Sequence, residues 1–93
     1  MVVLSDEKPA VVQIKNTDKT QILAIGLRQN QVLKKHITSI PALLVVLEGK
    51  VMFEIDGSTT EIPSMSTIDI PANVLHEVTG LQESLFLVIK EKN

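Results

Sequence analysis

Cysteine, tryptophan and tyrosine are missing from the 93 residues, and phenylalanine occurs only as Phe53 and Phe86. Without cysteine there is no disulfide, no thiolate nucleophile, no cysteine-held zinc and no iron–sulfur cluster. With so few aromatic rings there is no stacking platform for bases or sugars. Basic charge is scarce too: nine Lys and Arg against eleven Asp and Glu leave a formal net charge of -2. The basic stripe of a nucleic-acid binder is therefore absent. The four glycines are scattered, so no phosphate-cradling loop is present. The serines lie in no nucleophile elbow. The longest apolar run, Ala42–Leu47, is far too short for a membrane span. The first residues, Met1 to Asp6, lack a basic region followed by an apolar stretch, which reads as a cytoplasmic protein.

What is abundant is β-branched. Val, Ile and Thr make up 28 of 93 residues, and Leu adds 11. Such side chains are stiff at χ1 and pack well on pleated surfaces, so the chain reads as all-β. Its length fits one domain over residues 1–93, with a folded surface of roughly 5,300 Å² against roughly 14,800 Å² unfolded.

Turn residues divide the chain into eight or nine short strands. The spacing predicts strands over Ala10–Lys15, Thr20–Arg28, Val32–Thr38, Leu43–Glu48 and Val51–Asp56. It continues with Thr59–Ile62, Ser66–Ile70, Leu75–Thr79 and Ser84–Lys90. Strict alternation in the third strand puts Leu33, Lys35 and Ile37 on one face and Lys34, His36 and Thr38 on the other. The solidly apolar Leu43–Glu48 reads as a strand covered on both faces. Gly26 marks a bulge or a close backbone approach. Strands of this number and spacing make a small barrel or sandwich. Its edges need closing or pairing. The first strand is thus a candidate for pairing with, or exchange into, a second subunit, which predicts a homodimer.

There are two histidines, His36 and His76, and imidazole is both the commonest metal ligand and a base near neutral pH. Glu77 should point away from His76, its neighbour on a strand. Glu48, at the turn before Gly49, reads as a solvated charge, and Glu54 remains a possible partner of the histidines. Asp69 alternates with Ile68 and Ile70 and remains a candidate third ligand. Arg28, the single arginine, could clamp a carboxylate.

The order of these features is informative. A histidine is followed by LLVVLEGKVMFEID, a turn, and then STIDIPANVLHEV. This resembles the small single-domain cupins, proteins of the RmlC-like double-stranded β-helix or jelly-roll superfamily, over roughly Gly26 to Ile89. The resemblance implies an all-β double-stranded β-helix. It also implies a metal site of His-x-His, a following glutamate and a last histidine. His36 matches the first histidine and His76 the last. Thr38 stands in the place of the second histidine, and Ala42 in the place of the glutamate, seven residues before Gly49. Met65 and Asn73 stand where glycines are usual. Half the ligands are missing, so the resemblance implies loose metal binding. A divalent ion (Zn, Cu, Fe, Ni or Mn) would be held only if a group such as Asp69 completed the shell.

The first functional expectation is a small-molecule-binding or sensory module of unknown ligand. Its pocket would be apolar, with His36, His76 and Thr38 as the convergent polar groups and Met52 in the lining. The ligand would be a small, partly apolar molecule with one polar or anionic end. The alternative is a cupin enzyme, isomerase- or epimerase-like or dioxygenase-like, using His36 and His76 as acid and base or as metal ligands. A third reading is an interaction protein acting through its dimer. Nucleic acid and membrane are not expected partners.

Overall fold

The computed structural model describes residues 2–92, and all of its regular structure is β. The strands are β1 (Ala10–Asn16), β2 (Thr20–Leu27), β3 (Val32–His36), β4 (Ala42–Glu48) and β5 (Lys50–Ile55). They continue with β6 (Ser58–Pro63), β7 (Ser66–Ile70), β8 (His76–Gly80) and β9 (Ser84–Glu91). Among the described residues, no helix is long and apolar enough to cross a membrane. The strands form a five-stranded sheet, β1-β2-β9-β4-β7, and a four-stranded sheet, β3-β8-β5-β6. Every pairing is antiparallel.

Alternation decides which face of each strand is buried. On β4, Ala42, Leu44 and Val46 point between the sheets. On β5, Val51 and Phe53 do so, and on β9, Ser84, Phe86 and Val88. Phe53 and Phe86 are the largest fully buried side chains, packed with Leu27, Leu44, Ile70 and Val78. The core thus has one aromatic ring from each sheet, with aliphatic side chains filling around them.

Two expectations are corrected. First, β4 is covered on one face only: Leu43, Val45 and Leu47 point outward and remain half-buried. Second, the alternation of β3 is broken. The pairing of β3 with β8 shifts between Leu33 and His36, and the strand ends at His36 rather than Thr38. An extra residue in one strand reverses the facing of everything after it. Leu33 and His36 therefore both face inward, while Lys34, Lys35 and Ile37 are exposed.

Two turns carry an identifiable strain. Met65 and Asn73 both have φ of 64°, the left-handed region. For a residue with a Cβ that region costs about 1–2 kcal/mol, less for asparagine, whose side chain bonds locally. Met65 is also 81% exposed, so its side chain recovers nothing by packing. At Gly49 (φ +80°), a Cβ would lie 2.2 Å from the Glu83 carbonyl oxygen, so this turn admits only glycine.

Replacing Met65 with glycine is therefore expected to stabilise the protein by about 0.5–1 kcal/mol, the relief of strain exceeding the added chain entropy. Thermal denaturation followed by circular dichroism should show a midpoint raised by roughly 2–8 °C. Asn73→Gly should change it by less. A lower midpoint for Met65→Gly would contradict this reading of the turn.

Candidate functional site

His36 and His76 lie forty residues apart in sequence and are directly paired across β3 and β8. Their ring centroids are 4.2 Å apart with planes inclined at 60°. On its other side His76 stacks on Phe53, with centroids 5.9 Å apart and planes at 29°. The core thus supports His76, and His76 supports His36. His76 is buried, whereas His36 is partly open.

Both rings are oriented by the backbone. His36 Nδ1 is 2.8 Å from the Lys34 carbonyl oxygen, and His76 Nδ1 is 3.2 Å from that of Val74. A carbonyl only accepts, so Nδ1 carries the proton in each ring. Nε2 of each neutral ring is then an unprotonated acceptor. The nearby Thr38 hydroxyl donates to the Ile40 carbonyl oxygen at 2.9 Å, which leaves its oxygen as an acceptor as well.

These three residues line one cavity of about 40 Å³ between the sheets, walled by side chains such as Leu44, Phe86 and Val88. Its fourth polar member is Lys90, which sequence reading missed. The signal was available: Ser84, Phe86, Val88 and Lys90 share one face of β9. Lys90 pairs across the sheet with Ala42, the position where the resemblance called for a glutamate. A small apolar side chain replaces the carboxylate, and an ammonium occupies its neighbourhood. Lys90 belongs to none of the ion pairs among the described residues.

The remaining candidates lie elsewhere. Asp69 is exposed on β7, on the outer face of the five-stranded sheet beside Leu43, because the inward positions of β7 go to Ile68 and Ile70. It cannot serve as a third ligand. Met52 alternates with the buried Val51 and Phe53, points away from the core and does not line the cavity. Glu77 faces Glu54 on the outer face of the other sheet, and Glu54 pairs with Lys35 at 3.6 Å. Glu48 is exposed at the end of β4. Arg28 clamps carboxylates of its own chain: its Nε lies 2.5 Å from Asp6 and its Nη1 2.7 Å from Glu83.

The donor set does not fit a firmly held divalent metal. Among the described residues no three His, Asp or Glu side chains converge. The two imidazoles share their cavity with a cationic Lys90, which repels a second cation.

Burial holds the His76 imidazole below its ordinary value, and the positive charges of His36 and Lys90 push the same way. The hydrogen bond to Val74 opposes them. The unfolded chain therefore takes up this proton at a higher pH than the folded one. The stability tied to neutral His76 is complete above the unfolded value of about 6.5 and is lost as pH falls through and below it. A histidine NMR titration should place His76 below that value, and Lys90→Met should raise it. An unshifted His76, or one that ignores Lys90→Met, would contradict the electrostatics described.

No protein-family model matches the chain, and no curated protein is significantly similar to it. Solved structures do match. A cupin superfamily protein from Desulfitobacterium hafniense superposes with a TM-score of 0.88 at 15% identity, covering 96% of this chain and 82% of that one. An RmlC-like cupin protein from Desulfovibrio desulfuricans gives 0.87 at 20% identity, covering 97% and 89%. KdgF from Halomonas sp. gives 0.87 at 13% identity, covering 100% and 88%. At such identities the likeness is one of fold. The two antiparallel sheets are accordingly those of a double-stranded β-helix, and this chain has the cupin fold.

Proposed function

We propose that the protein binds a small organic acid carrying a hydroxyl group next to its carboxylate. The observation that supports this is the composition of the cavity: one ammonium, on Lys90, and three acceptors, the two Nε2 atoms and the Thr38 hydroxyl oxygen. A carboxylate pairs with the ammonium in a charge-assisted contact. It gains nothing from an unprotonated Nε2, which has no hydrogen to give. A hydroxyl on the adjacent carbon does supply that hydrogen. A cavity of about 40 Å³ holds only the polar head of such a molecule. The tail would lie outside it.

A second reading has its own observation. A neutral imidazole with Nδ1 anchored and Nε2 free is set up as a general base. Beside a bound 2-hydroxy acid it could remove the proton at carbon 2, the step of an epimerase. That reading requires deuterium from D₂O to appear at carbon 2 of the bound acid, with the exchange lost in His76→Gln. Absence of exchange in the wild type would leave the binding module.

The binding reading is tested by calorimetric titration with 2-hydroxybutyrate, butyrate and butyramide. Affinity should fall in that order. Lys90→Met should weaken 2-hydroxybutyrate by about tenfold or more, the scale of one charge-assisted hydrogen bond. Butyramide binding as well as the acids, or Lys90→Met binding as the wild type does, would overturn the proposal.

A further inference from the structure

Of the eight lysines in the chain, Lys90 alone lines the cavity between the sheets. Four others, Lys8, Lys15, Lys19 and Lys34, are exposed. Lys35 and Lys50 face Glu54 and Glu61, and Lys92 donates to Asn16 and to the Thr17 carbonyl oxygen. Lys90 differs from all of these. It is half-buried, it belongs to none of the ion pairs among the described residues, and its neighbours in the cavity are imidazoles and aliphatic walls. A lysine paired with a carboxylate is held as an ammonium and cannot attack carbon. A lysine that shares a cavity with a proton acceptor can give up a proton and become a nucleophile.

We infer that Lys90 forms an imine with a small 2-oxo acid, the oxidised counterpart of the 2-hydroxy acid. The inference rests on the cavity composition used above, and not on any affinity for anions. The step balances within the site. An unprotonated Nε2 of His36 or His76 takes one proton from the Lys90 ammonium. The Nζ lone pair attacks carbon 2, a C–N bond forms, and the carbonyl electron pair moves to oxygen. A proton passes from nitrogen to that oxygen, which gives a carbinolamine. The imidazolium returns its proton to the hydroxyl, the C–O bond breaks and water leaves. The product is a protonated imine, and no oxidant or reductant is consumed.

Three features of the site favour this product. The iminium N–H has an acceptor in Nε2, because both Nδ1 atoms are committed to backbone carbonyls. The positive charge stays beside the substrate's own carboxylate, so a 2-oxo acid suits the site better than a plain ketone. The walls, Leu44, Phe86 and Val88 among them, leave little room for the water that would reverse the step. A volume of about 40 Å³ restricts the reaction to the carbonyl end of a short molecule.

Trapping with pyruvate and sodium cyanoborohydride, which reduces an iminium in place, tests this on the full chain. Intact-mass spectrometry should show one reduced adduct per chain, and peptide mapping should place it on Lys90. Its formation should be at least about tenfold faster than at any other lysine, within what a placed base supplies. His36→Gln should slow it by about tenfold or more, with folding checked by circular dichroism. Lys90→Arg keeps the positive charge and removes the primary amine. That variant should lose the adduct and still bind 2-hydroxybutyrate. An adduct spread evenly over the lysines, or one undiminished in Lys90→Arg, would overturn the inference. Binding of 2-hydroxybutyrate without any adduct would overturn it and leave the anion reading standing. An adduct on Lys90 without such binding would sustain it and sink the anion reading.

Discussion

The contact between His36 and His76 is what makes a site out of an otherwise apolar sandwich. It depends on the pairing of β3 with β8 and on the bulge that turns His36 inward. Phe53 sets its depth, because His76 lies against that ring. The backbone sets its chemistry, because each Nδ1 is committed to a carbonyl two residues before it in sequence. What reaches the cavity is therefore a pair of acceptors, held from behind and unable to donate while neutral.

Lys90 then gives the site its sign. The resemblance to cupins implied a carboxylate at Ala42, and a carboxylate there would have favoured a cation. Instead Ala42 leaves room and Lys90 stands beside it. The same fold here has an apolar side chain where the resemblance implied a carboxylate, and a lysine opposite it, which is the basis for proposing an anionic ligand. Fold alone does not determine this, since one architecture hosts many chemistries. Particular side chains at the ends of β4 and β9 determine it. Burial is the main reason that His76 stays neutral, and the ammonium adds a smaller push the same way.

Much of this was legible in the residues. Nine strands follow from turn chemistry and β-branched runs, and their bounds differ from the expected ones by a residue or two. Both histidines and Thr38 were legible as the convergent polar groups. The facing of β3 was not, because a bulge has no reliable signature in one sequence, and a shift of one residue reverses the facing. Lys90 was legible but overlooked, since a lysine near the end of a strand resembles a solvated charge. Asp69 fitted a ligand by type, but alternation with Ile68 and Ile70 turned it outward. Met52 was excluded by the same alternation that buries Val51 and Phe53. The run Leu43–Leu47 signalled two covered faces, and within one chain only one of them is covered.

In the proposed complex the two Nε2 atoms face the ligand as acceptors while Nδ1 remains bound to the backbone. Long-range proton–nitrogen NMR of the histidine rings during titration with 2-hydroxybutyrate tests this directly. Both rings are expected to be protonated at Nδ1 in the free protein. Nε2 of His36 and of His76 should shift as ligand is added, with Nδ1 unmoved. Rings protonated at Nε2, or Nε2 signals that stay still while ligand binds, would contradict it.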